Sequence, residues 1–128
     1  VLAKLDILKT DAVEAELLTG ESDIRAAAKT IASWGPREVV LTHRNGVQVL
    51  ADGRFYEAKF APRQLVGRSG RGDTCIASYV CKRLDAPPEE ATVWAAAVTS
   101  LKLEAEGPFQ RDLNEVNSLV ASGRLRVR

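Results

Sequence analysis

Apolar positions along the chain change their period from strand-like to helix-like and back, and each change marks a boundary between elements. Leu5-Asp6-Ile7-Leu8 is a short apolar run that suits a buried strand. Behind it, Asp11-Ala12-Val13-Glu14 sets a glutamate three residues after an acid, the spacing of a capping box with Asp11 in the cap. Leu17 and Leu18 close a short helix that Gly20 stops. A second helix starts at Ser22-Asp23, carries Ile24, Ala27, Ala28 and Ile31 at helical spacing, and ends at Gly35-Pro36. The period then shortens toward two. Glu38 to Thr42, Val47 to Leu50 and Arg54 to Phe60 read as three strands, with Asn45-Gly46 and Asp52-Gly53 as tight turns, an antiparallel meander closed by Pro62. Residues 63–72 read as loop. From Asp73 the helical period returns in Ile76, Val80 and Leu84, and Asp85 to Pro88 breaks it. The next helix begins near Pro88-Glu89-Glu90, with a stripe for burial in Ala91, Trp94, Ala95, Val98 and Leu101, and Gly107-Pro108 stops it. A last amphipathic helix covers roughly 112–121 with Leu113, Val116, Leu119 and Val120 on its apolar face.

Bulk properties narrow the picture without deciding it. At 128 residues the chain is a single domain, long enough to bury a core. Lys and Arg number 18 against 17 Asp and Glu, so net charge gives no case for nucleic-acid or membrane binding, and Arg124, Arg126 and Arg128 read as a solvated basic tail. No apolar run approaches membrane-span length. Cys75 and Cys81 fall on one helix, about 9 Å apart along its axis and outside disulfide reach, so both are expected as free thiols in a reducing, cytoplasmic setting. The absence of Met and a start at Val1 inside an apolar pattern point to a fragment or a processed product.

The stretch that carries chemistry is Gly67-Arg68-Ser69-Gly70-Arg71-Gly72-Asp73-Thr74. Glycines let backbone N–H groups turn toward a ligand, and the helix that follows aims the positive end of its dipole at the same point, so the stretch reads as a phosphate site. Asp73 has two readings from the residues alone: a helix cap, or a base beside a phosphoryl group.

With the element order in place, the chain resembles the C-terminal, ATP-binding half of the ribokinase-like (PfkB-type) carbohydrate and nucleoside kinases, from Leu5 to about Gly107. The residues that carry the resemblance are Gly70-Arg71-Gly72-Asp73, in the place of the family's D-T-x-G-A-G-D signature; Asp11-Ala12-Val13-Glu14, in the place of its N-x-x-E motif; and His43-Arg44-Asn45-Gly46, in the place of a G-x-x-G beside the nucleotide. Gly67-Arg68 replace the leading Asp-Thr, Arg71 the small residue between the glycines, Asp11 the Asn, and His43 the first glycine of the third motif.

The resemblance implies an α/β domain that is part of a three-layer α/β/α sandwich, with a mixed sheet and an antiparallel meander. It implies Asp73 as catalytic base, the N–H groups of Arg71, Gly72 and Asp73 around the transferring phosphate in a phosphate-binding loop that includes Gly70, Gly46 at the nucleotide, and Glu14 with Asp11 in the Mg²⁺ and phosphate network. ATP and Mg²⁺ are the implied cofactors, and a sugar or nucleoside hydroxyl is the acceptor. Ala95, Ala96 and Ala97 are small enough for an adenine to approach, or serve helix packing. His43 is given no chemical role. The N-terminal substrate half of the family has no counterpart here, so the fragment is expected to be inactive alone. A non-catalytic binding or assembly module derived from such a kinase is the alternative. Either way an uncovered sheet edge or apolar face is expected to drive homo-oligomer formation.

Overall fold

The computed structural model describes residues 6–67, 69–107 and 109–127. They form β1 (Ile7–Asp11), α1 (Ala12–Thr19), α2 (Ile24–Ser33), β2 (Glu38–His43), β3 (Gly46–Ala51), β4 (Arg54–Lys59), α3 (Arg71–Arg83), α4 (Pro88–Lys102) and α5 (Leu113–Ala121). The strands lie in the order β1-β2-β3-β4. β1 and β2 are parallel, joined by the α1–α2 crossover, and the rest of the sheet is antiparallel. A mixed sheet between two helical layers is the expected architecture.

The layers follow from alternation along β2. Val39 and Leu41 face Ala15, Ala27, Ala28 and Ile31 of α1 and α2, whereas Val40 faces the opposite core, with Tyr79, Ala95 and Leu101 of α3 and α4. A strand covered on both sides has no polar-out positions, and β3 is buried at every residue. The apolar side chains that leave water here supply the driving force that holds helices to sheet.

Several boundaries differ from the sequence reading, each for a local reason. β1 runs on to Asp11, because Thr10 and Asp11 continue the ladder against Leu41 and Thr42; Leu5 falls outside the described residues. Asp11 is both the last residue of this strand and the N-cap of α1, with the expected capping box formed in both directions. The β2–β3 turn is built on Arg44 and Asn45, not on Asn45-Gly46, since Gly46 already pairs with His43. Asp52 and Gly53 do form the second turn, at φ 50° and 76°. Phe60 lies beyond the end of β4. α4 is buried nearly all round, not along one stripe, because the sheet, α3 and α5 all pack on it. It ends at Lys102, ahead of Gly107; Pro108 falls outside the described residues.

Candidate functional site

Asp11 and Glu14 lie where β1 passes into α1, and the start of α3 approaches the same parallel pair, with Gly72 beside the Lys9 side chain of β1 and Arg71 near His43 at the end of β2. In open α/β sheets the carboxyl ends of the strands are where ligands bind. α3 starts here two residues earlier than its apolar period suggests. Gly70 is its N-cap, in the left-handed region at φ 77°, and no side chain caps the helix. The first helical bond runs from Thr74 N–H to Gly70 C=O at 2.9 Å. Among the described residues no group accepts from the N–H of Arg71, Gly72 or Asp73, which are therefore oriented donors at the positive end of a dipole.

Asp73 is thus not a cap. It sits in the first turn of α3, exposed, and forms no ion pair or side-chain hydrogen bond among the described residues. A carboxylate beside unpaired N–H groups and open to solvent remains available to accept a proton. Arg68, in the same stretch, lies outside the described residues.

Two lysines that sequence reasoning left unused bracket the loop. Lys9 alternates with Leu8 and points to the α3 side of the sheet, where a Cβ added to Gly72 would lie 2.5 Å from its Nζ. The glycine leaves room for the ammonium, and a side chain at position 72 would make Lys9 shift. From the other side, the last residue of α4 brings Lys102 Nζ to donate to Gly67 C=O at 3.3 Å, with its Cε against Gly70. Lys102 is only 4% exposed and has no carboxylate partner among the described residues. Sequence gave weak signals for both: Lys102 looks like an ordinary dipole-compensating cation at a helix C-terminus, and Lys9 like a strand-end polar residue.

Arg71 is near enough to His43 and Cys75 for its charge to oppose protonation of the one and favour ionisation of the other. Burial is the larger influence on both, lowering His43 and pushing the Cys75 thiol up to about 11. His43 Nδ1 also accepts from Asn45 N–H at 3.2 Å, so the imidazole braces its own turn.

The approach to the loop is fixed to α4. Ala61 N–H donates to Ser100 Oγ, Arg63 N–H to Glu104, and Val66 and Gly67 N–H to Leu103 C=O. Glu104, almost fully buried, also accepts from Arg111 at 3.1 Å. These bonds leave Gly67 so close to the Ala105 carbonyl that no side chain would fit there.

Gly46 packs between strands, where a Cβ would strike Ala58 C=O and lie 2.8 Å from Lys59 Cα, so close strand pairing already requires a glycine there. Ala95, Ala96 and Ala97 are fully buried in the core, which is the packing alternative.

This mixed α/β fold is shared with solved kinases. A pyrophosphate-dependent kinase in the ribokinase family, complexed with a pyrophosphate analog and myo-inositol, is 43% identical and superposes with a TM-score of 0.82, over 91% of this chain and 42% of that one. This chain is a portion of the ribokinase-family kinase fold. Ribokinase from Arabidopsis thaliana, complexed with ribose and ATP, matches at 26% identity and a TM-score of 0.82, over 93% of this chain and 42% of its own. A cytidine kinase from Thermococcus kodakarensis is 26% identical over 83 residues, 62% of this chain and 30% of that protein. No protein-family model matches. The chain thus spans well under half the length of the ribokinase-family structures it matches. Among the described residues no helix is long and apolar enough to cross a membrane.

Proposed function

We propose that these residues form the phosphate-donor side of a kinase that phosphorylates an alcohol, with the acceptor site in a part of the fold outside this chain. The observation that carries this reading is the uncapped start of α3, where three N–H groups and an unpaired carboxylate meet at one point. In the reaction, a bond forms between the acceptor oxygen and the terminal phosphorus while the bridging P–O bond breaks. The electron pair leaves with the departing phosphate, Asp73 takes the hydroxyl proton, and the N–H groups of Arg71, Gly72 and Asp73 stabilise charge on the transferring oxygens. Phosphoryl transfer needs positioning and charge neutralisation more than covalent help, and this is what the loop can offer.

Mg²⁺ belongs to this chemistry as a shield for the phosphate charge. It holds most of its waters and needs only one or two carboxylates beside the phosphates themselves. Glu14 fits that outer role, since the capping box uses one of its carboxylate oxygens and leaves the other open, while Asp11 holds the helix start that presents it. The donor is ATP, as in the ribose and ATP complex of the plant relative, or pyrophosphate, which the 43% identical relative is described as using. The acceptor is a sugar, polyol or nucleoside hydroxyl. The free thiols Cys75 and Cys81 suit a cytoplasmic setting. The alternative is a non-catalytic binding or assembly module derived from a kinase domain, which the exposed Val13 and Leu17 of α1 would serve.

The reading is tested by titrating the chain with Mg·ATP and Mg·pyrophosphate while following backbone amide resonances. Shifts centred on Gly70 to Asp73 are expected; no shift there at millimolar donor contradicts it.

A further inference from the structure

We propose that Lys102 is the donor-specificity residue of this site, holding the departing phosphate of inorganic pyrophosphate. The inference rests on the phosphoryl-transfer reading above and deepens it. A buried ammonium with no counter-ion is costly unless something anionic completes its surroundings. Lys102 is in that position: one of its three N–H donors meets a neutral carbonyl, Gly67 C=O, and no carboxylate pairs with it among the described residues. Nearby, Glu104 is engaged by Arg111 and Arg63 N–H, and Glu106, which lines a small cavity together with Lys102, makes no ion pair with it among the described residues.

The position of Lys102 assigns it a particular phosphate. Gly70 separates it from the start of α3, and Lys9 stands at Gly72. A phosphate on the α3 N–H groups would meet Lys9, and a second phosphate bridged to it would reach Lys102. The shared chemistry is that of a diphosphate, found in pyrophosphate and in the outer part of ATP. Two observations favour the inorganic form. The alanines that might have admitted an adenine are sealed in the core. The glycine that would lie beside a nucleotide is packed against Ala58.

The test is calorimetric titration of the chain with Mg·pyrophosphate, Mg·ATP and orthophosphate, repeated for Lys102→Met and Lys102→Arg. A hydrogen bond to a charged group sets the scale. Lys102→Met is expected to weaken pyrophosphate binding about 10- to 100-fold, to change orthophosphate binding far less, and to be rescued in large part by Lys102→Arg. Wild-type chain is expected to prefer pyrophosphate over ATP. Equal pyrophosphate affinity in Lys102→Met and wild type, or a wild-type preference for ATP, overturns the proposal. If Lys102→Met does not fold, the ammonium resonance of Lys102 in the wild type decides: it should shift with pyrophosphate and much less with orthophosphate, and an unmoved signal overturns the assignment. Amide shifts at Gly70 to Asp73 without any response at Lys102 remove only this inference, whereas no shift at the loop with any donor removes the phosphoryl-transfer reading beneath it.

Discussion

Asp73 stands in the first turn of α3, past the N-cap, and that position separates two roles. A cap at the helix start would be engaged with backbone N–H groups, while the first-turn carboxylate has none and faces solvent beside them. Replacing it with Asn should therefore leave donor binding intact or slightly stronger, and lower phosphoryl transfer about 10²- to 10⁴-fold wherever transfer is measurable. Equal loss of binding and transfer would place Asp73 in the fold instead. The cysteines separate at the same scale. Cys81 is exposed, whereas Cys75 is buried with its thiol pushed up to about 11. A thiol reagent at pH 8 should label one cysteine per folded chain quickly and the second only after unfolding. His43 adds a pH dependence. Burial lowers its pKa below 6.5 in the folded chain, so the unfolded chain binds more protons as the pH falls through that value. Stability should rise with pH across that window.

At the scale of elements, Gly46 has a packing role in the β3–β4 pairing. Gly46→Ala should cost about 1–3 kcal/mol of stability in chemical denaturation, because the obstructing atoms are backbone, and should leave donor affinity unchanged; lost affinity at unchanged stability would restore a ligand contact. Element order, the capping box at Asp11 and the meander were legible in the sequence because each rests on local chemistry: a cap acid, an Asp-Gly turn, a two-residue alternation. What escaped was set by distant partners. The start of α3 at Arg71 depends on Gly70 taking a left-handed conformation, where the apolar period gives no sign. The all-round burial of α4 depends on three neighbours, and small residues such as Ala96 and Ser100 fit it without forming a stripe. Lys9 and Lys102 could not be paired with the glycine loop because only the folded sheet and α4 bring them there.

Across the molecule, the sheet ends at β1, whose outer side has no partner among the described residues. Beside it α1 turns Val13, Leu17 and Leu18 to solvent, at 70%, 82% and 57% exposure. An open strand edge next to an apolar helix face invites a partner. The chain should self-associate, and a double change of Val13 and Leu17 to Glu should shift it toward monomer in light scattering. A compact wild-type monomer at high concentration would show that this face is tolerated bare.

The central claim is that the unpaired amides opening α3 hold a phosphate with one carboxylate at its side. A crystal of the chain soaked in Mg²⁺ and pyrophosphate tests it most directly. Density for an anion accepting from the N–H groups of Arg71, Gly72 and Asp73, between Lys9 and Lys102, is the expected result. An empty loop at full soak, or an anion bound elsewhere with those amides turned away, would contradict it.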